Sequence, residues 1–260
     1  MNISPVIFEI GPIQLRWYGV MYLLGYVLGG YILTVLSKKG FFKIPKDKID
    51  PYIAYLLGGM VVGARLAYVF IYNWPYYAHH LDEIIAVWKG GLSFHGAVVG
   101  MCLATWLYAR KFKLHFFQVS DCLALAGTPG LFLGRMGNFI NGELYGRVTD
   151  SPFGMVFMKG GPYPRHPSQL YEGISEGILL WLILWMMHKR VKHYGYISAV
   201  FLGGYGFFRY VVEFFREPDA QLGYYFGGTT TMGQILCLIM IGLSVGMYLY
   251  AKKKAIPVAR

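Results

Sequence analysis

The stretch GRMGNFINGELYG at 134–146 sets Arg135, Asn138, Asn141 and Glu143 directly behind an apolar run. Further on, Tyr205, Arg209 and Glu213 recur at i, i+4 and i+8, so all three share one helix face. Arg before Glu is the weaker order for stabilising a helix surface, which makes surface pairing a poor reason to keep them. Two guanidinium groups together form a fork suited to holding a phosphate bidentately. His95, inside SFHG at 93–96, adds the side chain type most used to move protons near neutral pH. Ionisable groups within a bilayer span cost roughly 2.5–3.5 kcal/mol each on insertion scales, so by default they mark function.

The surrounding chain is composed for a bilayer. It is 56% hydrophobic and 14% charged, with a mean hydropathy of +0.44, outside the range of a soluble domain. A hydrocarbon core about 30 Å thick needs about 20 helical residues to cross it. Stretches near 17–36, 52–72, 91–109, 117–137, 168–187, 195–213 and 231–251 meet that need. The expected fold is an all-α polytopic membrane protein, one integral domain over 1–260, with seven transmembrane helices and no internal repeat. The segment 73–90 carries Trp74, Tyr76, Tyr77 and Trp88 and reads as an interfacial arm at headgroup level. The segment 138–167, rich in Gly and Pro, reads as a small irregular cap. The first 16 residues have no basic start and the run after them no small-residue cleavage site, so the first span is expected to be retained.

The formal net charge of +11 is sorted by side. Segments 37–51, 110–116, 188–194 and 252–260 hold 15 Lys and Arg, whereas 1–16, 73–90, 138–167 and 214–230 hold 6, and Arg65, Arg135 and Arg209 lie within spans. The positive-inside rule puts the amino terminus outside and the carboxyl terminus in the cytoplasm. The basic bias is thus topological and excludes nucleic acid as the partner it would otherwise imply. Cys102, Cys122 and Cys237 fall in spans with no metal-ligand spacing and read as packing residues. Glycine pairs at four-residue spacing, Gly25/Gly29, Gly59/Gly63, Gly96/Gly100, Gly130/Gly134, Gly173/Gly177 and Gly242/Gly246, read as close-packing seams of one bundle, with homodimerisation the alternative.

Topology assigns each buried polar group a depth. Arg135, Asn138, Asn141, Glu143, Tyr205, Arg209, Glu213, His95, Tyr18, Glu172 and Arg65 all gather toward the outer leaflet, and a phosphate held there belongs to a phospholipid headgroup. Each also has a structural reading: Arg209 with Glu213 as an ion pair, Glu172 and Glu176 as helix-start carboxylates favoured by the macrodipole, His95 as a core histidine, Arg65 as the partner of a bundle carboxylate. Asp121, at the opposite end, reads as structural.

Six blocks then carry a resemblance that covers nearly the whole chain: RWYG at 16–19, SFHG at 93–96, FFQVSD at 116–121, GRMGNFINGELYGR at 134–147, RHPSQLYE at 165–172 and FRYVVEFFREPDAQ at 208–221. The sequence resembles the prolipoprotein diacylglyceryl transferases of the bacterial inner membrane. The resemblance implies transfer of a diacylglyceryl group from phosphatidylglycerol to the lipobox cysteine thiol of a preprolipoprotein, with a thioether and glycerol phosphate as products. It implies a multi-pass protein of the cytoplasmic membrane with its site toward the periplasmic leaflet, and it calls for no metal or cofactor. Catalytic roles would fall on His95, Arg135 and Arg209, and substrate-binding roles on Tyr18, Asn138, Glu143, Gly146, Tyr205 and Glu213. Arg135 and Arg209 would stabilise the departing phosphate and His95 would take the thiol proton, while Glu143 and Glu213 orient the arginines. Asn138 and Tyr18 would bond headgroup or ester oxygens. The rival classes are a polytopic transporter with an outer-leaflet anionic-substrate site, and a lipid-binding scaffold that needs no base. One-leaflet clustering and the absence of a repeat weigh against transport.

Overall fold

Apolar runs bounded by Lys and Arg must satisfy their backbone hydrogen bonds internally, and they do so as helices. The computed structural model describes residues 4–11, 13–217, 224–225 and 230–258. A hairpin of β1 (Val6–Ile10) and β2 (Ile13–Arg16) leads into α1 (Trp17–Lys38). Next come α2 (Ile49–Ala67), extended by a π-helical turn Tyr68–Tyr72, then the short α3 (Trp74–Tyr77) and α4 (Phe94–Lys111). After α5 (Phe116–Ile140), one rod is built from α6 (Ser168–Glu172), a π-helical stretch Gly173–Leu179 and α7 (Leu180–His188). The chain continues through α8 (Tyr196–Glu213), the paired β3 (Tyr224–Tyr225) and β4 (Thr230–Thr231), and α9 (Met232–Lys254). Pro218, Asp219, Ala220 and Gln221, the end of the last sequence block, lie outside the described residues, as does part of 214–230.

Five helical stretches are long and apolar enough to cross a membrane: Trp17–Lys38, Lys46–Tyr72, Phe116–Ile140, Ser168–His188 and Met232–Lys254. The two other long helices, α4 and α8, have 18 residues each and end in charged groups. The all-α expectation needs one correction, since two small hairpins are present. In the first, β2 alternates apolar Ile13 and Leu15 with polar Gln14 and Arg16, and Gly11 at φ +59° stands in its turn.

The glycine seams locate the closest approach in the bundle. A Cβ on Gly59 would stand 2.6 Å from the Gly100 carbonyl oxygen, and Cβ atoms on Gly63, Gly96 and Gly100 would collide with the carbonyls of Gly96, Gly63 and Gly59. Only glycine lets α2 and α4 meet backbone to backbone in this way. Gly25 and Gly29 lie against α5, while Gly242 and Gly246 meet nothing within 4 Å and form no seam here. Gly177 packs on Phe132, which joins the central rod to α5.

The two ends of the bundle differ in kind. At the lysine-rich end, Leu36, Phe42, Ile49, Tyr52, Tyr108, Leu125, Leu184, Tyr194 and Ile197 belong to one fully apolar core. Asp121 is structural there, as its position implies: its carboxylate accepts from the backbone N–H of Gly195 (2.7 Å) and Ser198 (2.8 Å), closing the start of α8. The other end gathers polar groups. Arg65 is buried, yet its partners are not the expected bundle carboxylate. It donates to the carbonyls of Ile84 (2.7 Å), Glu83 (2.6 Å), Gly90 (2.6 Å) and Gly91 (3.1 Å), pinning the arm at 73–90 to α2. That arm leaves Leu81, Ile85 and Trp88 exposed. The Glu83 carboxyl, hydrogen-bonded by Lys89, is held below its usual range.

Candidate active site

Glu172 is the hub of the polar end. It sits in the last turn of α6 with no exposed surface, and three guanidinium groups converge on its carboxylate. Arg135 Nη2 lies 2.6 Å from Oε2, Arg209 Nη1 3.1 Å from the same oxygen, and Arg216 Nη1 2.8 Å from Oε1. The two arginines picked from sequence are therefore neighbours, brought together from α5 and α8 by a carboxylate on the rod between them. Glu213 supplies the second anion, 2.9 Å from Arg209 Nη2 and 3.6 Å from Arg216 Nε. Its other oxygen accepts from the hydroxyl of Thr231, the residue that caps α9. Tyr205, one turn before Arg209, lies within electrostatic reach of Glu176, Arg209 and Arg135.

Three guanidiniums meet two carboxylates as ion pairs, and a third carboxyl, Glu176, is buried within electrostatic reach of all three. Arg209 Nη1 and Arg216 Nε, and the Glu172 and Glu213 oxygens facing them at 3.1 and 3.6 Å, are ion-paired without being aligned as hydrogen bonds. A cluster so rich in guanidinium donors suits an anion. Arg135 keeps 23% of its side chain exposed, so the cluster remains open to a ligand.

A second branch runs from Arg135 along the end of α5. Arg135 Nη1 donates to Asn138 Oδ1 at 3.4 Å, and the Asn138 amide donates to Glu143 Oε1 at 2.9 Å, which also accepts from Asn141 at 3.3 Å. Glu143 thus reaches Arg135 through Asn138, whereas direct orientation of that arginine falls to Glu172. Of the two glutamates expected to orient the arginines, Glu213 contacts Arg209 directly and Glu143 is linked to Arg135 through Asn138. Gln169 donates to the Glu143 carbonyl at 2.7 Å and Ser168 to that of Leu144 at 2.9 Å, so the start of α6 holds both branches in place. Tyr18 packs flat on Gly137, where a Cβ would come within 2.9 Å of its ring, and lies within electrostatic reach of Glu143 and Arg135. Gly146 is in the cap. It bonds the His166 carbonyl at 2.8 Å and bridges to Arg216, and a Cβ there would strike the Phe215 carbonyl. Arg147 Nε holds the Arg216 carbonyl at 2.7 Å, so the 134–147 block also aims Arg216 at Glu172.

His95 stands apart from this cluster. It opens α4, and its Nδ1 lies 3.2 Å from the Tyr72 hydroxyl; no recorded contact among the described residues joins it to the arginines. It lies on an apolar groove of about 670 Å³ between α2 and α4, walled by Val62, Leu66, Phe70, Val99 and Leu103. The polar end is thus built on two packing units, α2 with α4 and α5 with α6, α8 and α9.

The sequence puts Glu172 in the outer-leaflet cluster, with a helix start as its structural alternative, but gives it no site role, and it gives Arg216 none, although both stand in quoted blocks, at the end of RHPSQLYE and inside FRYVVEFFREPDAQ. Their shared placement in such blocks was the available signal.

Comparison with known proteins agrees with these blocks. The sequence model described as Prolipoprotein diacylglyceryl transferase matches residues 5–250. The chain is 47% identical over 244 residues to the phosphatidylglycerol–prolipoprotein diacylglyceryl transferase of Nitratidesulfovibrio vulgaris strain DP4, covering 93% of each protein. It is 44% identical over 254 residues to the protein of that name from Geobacter sulfurreducens, covering 97% of each. It is 43% identical over 261 residues to that of Pseudomonas aeruginosa strain LESB58, covering 99% of this chain and 98% of the relative. By family match and by relatives of nearly equal length, the chain belongs to the prolipoprotein diacylglyceryl transferase family.

Proposed function

We propose that this protein moves the diacylglyceryl group of phosphatidylglycerol onto the lipobox cysteine of a prolipoprotein, at the periplasmic leaflet of a seven-span inner-membrane bundle with its amino terminus outside. The observation that carries the reading is the convergence of Arg135, Arg209 and Arg216 on Glu172 and Glu213 in one buried cluster at the polar end. The cysteine sulfur attacks the glyceryl carbon that bears the phosphate ester. A carbon–sulfur bond forms, the carbon–oxygen bond breaks, and glycerol phosphate leaves with the electron pair. The phosphate gains a negative charge as it departs, and Arg135, Arg209 and Arg216 supply preorganised donors for it. The thiol attacks as thiolate, so its proton must go elsewhere. With His95 Nδ1–H donating to the Tyr72 hydroxyl, Nε2 is the nitrogen that receives that proton, and the released glycerol phosphate takes it up afterwards.

The groove beside His95 is apolar along its walls, Val62, Leu66, Phe70, Val99 and Leu103, which suits an acyl chain of the lipid substrate. The transport reading is less well supported, because the interior ion pairs among the described residues gather at one end of the bundle.

The test uses purified protein in vesicles, phosphatidylglycerol labelled in its acyl chains, and a lipobox peptide. Mass gain on the cysteine with release of glycerol phosphate is expected, and Arg209→Lys should lower kcat by about 10²–10³-fold, since Lys keeps the charge and loses the fork. No transfer by folded, lipid-replete protein, or full activity in Arg209→Lys, would overturn the assignment.

A further inference from the structure

The opposite end of the central rod presents a different kind of notch. Where α7 turns into α8, a cavity of about 600 Å³ is walled on one side by Ile183 and Met186 and rimmed by Arg190, Lys192, His193 and Tyr196. We infer that this notch binds an anionic phospholipid, with the phosphate on Arg190 and Lys192 and an acyl chain along Ile183 and Met186.

Charge is the first ground. No ion pair joins Arg190, Lys192 or His193 to a carboxylate among the described residues. From Gly177 through Val212 the sequence has no Asp or Glu, and the described part of α9 and its extension to Val258 has none either. Asp121, which touches the start of α8, is spent on the Gly195 and Ser198 N–H groups and the Ser198 hydroxyl. The cations are therefore unopposed, and an Arg fork beside a Lys suits a phosphate.

Placement is the second ground. Glu172 and His188 are 16 residues apart on one rod, about 24 Å at the α-helical rise of 1.5 Å per residue and less across its π-helical stretch, so Arg190, just past the rod's end, lies most of the roughly 30 Å of a hydrocarbon core away from Glu172. The notch thus lies at the headgroup level of the other leaflet and cannot be part of the arginine–glutamate site. Its apolar wall faces outward, with Met186 at 61% exposure, which selects a lipid over a soluble phosphate compound. Basic pockets at helix ends on the cytoplasmic side hold anionic headgroups for these reasons.

The experiment is independent of catalysis. Protein in nanodiscs of phosphatidylcholine receives a small fraction of phosphatidylglycerol bearing a diazirine on one acyl chain, and crosslinked peptides are identified by mass spectrometry. Labelling should appear on the segment 183–196, and unlabelled phosphatidylglycerol should compete for it. In Arg190→Gln/Lys192→Gln the apparent affinity at this segment should fall by about 30-fold, taking about 1 kcal/mol per cation at a membrane surface. Labelling at the Arg135 end should stay unchanged, which reports that the variant is folded, and the charge-conserving Arg190→Lys should keep most of the signal. Equal labelling by a phosphatidylcholine probe, labelling insensitive to the double substitution, or displacement by glycerol phosphate as effective as by lipid would each overturn the inference.

Discussion

Replacing Glu172 with Gln preserves the shape of the hub and removes its charge. The carboxylate now sits 2.6–3.1 Å from nitrogens of three guanidinium groups. An amide offers one acceptor oxygen, and its two N–H donors would face guanidinium donors. Arg209 and Arg216 would still share Glu213, but Arg135 would lose its carboxylate and keep only the 3.4 Å contact to Asn138. Breaking a buried ion pair by removing one partner costs about 3–5 kcal/mol. For a chain of this size that corresponds to about 6–20 °C in Tm, readable by tryptophan fluorescence in detergent. Activity should fall further than stability alone explains, because a misdirected Arg135 withdraws a donor worth about 10²–10³ in kcat. The assay is the vesicle transfer reaction run well below the Tm of the variant. Glu172→Asp, which keeps the charge on a shorter stem, should recover part of both quantities and serves if the Gln variant does not fold. Wild-type kcat and Tm in Glu172→Gln would refute the view that this carboxylate positions the arginines.

Three further outcomes are expected. His95→Gln should lower transfer about 10²–10⁴-fold across pH 6 to 9 while leaving lipid binding unchanged, and a normal rate would remove His95 as the proton acceptor. Gly100→Ala drives a methyl into the Gly59 carbonyl, so it should cost at least 1–3 kcal/mol and lower the yield of folded protein; wild-type thermal stability would show that α2 and α4 can separate freely. Arg65→Lys can make at most three of the four carbonyl bonds, in poorer geometry, and should open the arm at 73–90 to limited proteolysis, with unchanged cleavage counting against the clamp.

Five helical stretches were legible as spans because uninterrupted apolar composition leaves a chain in lipid little choice but helix. The depths read for Arg135 and Arg209 put them at one end of the bundle, where both meet Glu172. Depth alone left Glu172 without a site role, since its position at a helix start has a sufficient local explanation in the macrodipole. Its actual role depends on Arg216, 44 residues away and beyond the end of α8, and only tertiary packing supplies that pairing. Arg65 was misjudged for a related reason: a buried arginine suggests a carboxylate, while a ring of carbonyls in an irregular arm leaves no mark in residue types. The first hairpin was within reach, since Ile13 and Leu15 alternate with Gln14 and Arg16, but so short a stretch beside a long apolar run is easily read as a flank.

A buried carboxylate in a site that must hold a phosphate looks self-defeating until the empty site is considered. Two guanidiniums about 4 Å apart repel by about 4 kcal/mol at an effective dielectric of 20, so three of them could not share a water-poor pocket without a resident counterion. Glu172 and Glu213 supply that counterion, with Glu176 buried beside them. In the proposed reaction the phosphodiester brings one negative charge and the departing phosphate approaches two, so guanidinium donors that hold it would bind it more strongly as the carbon–oxygen bond breaks. A gain of that kind is the condition for accelerating the reaction instead of merely binding the lipid.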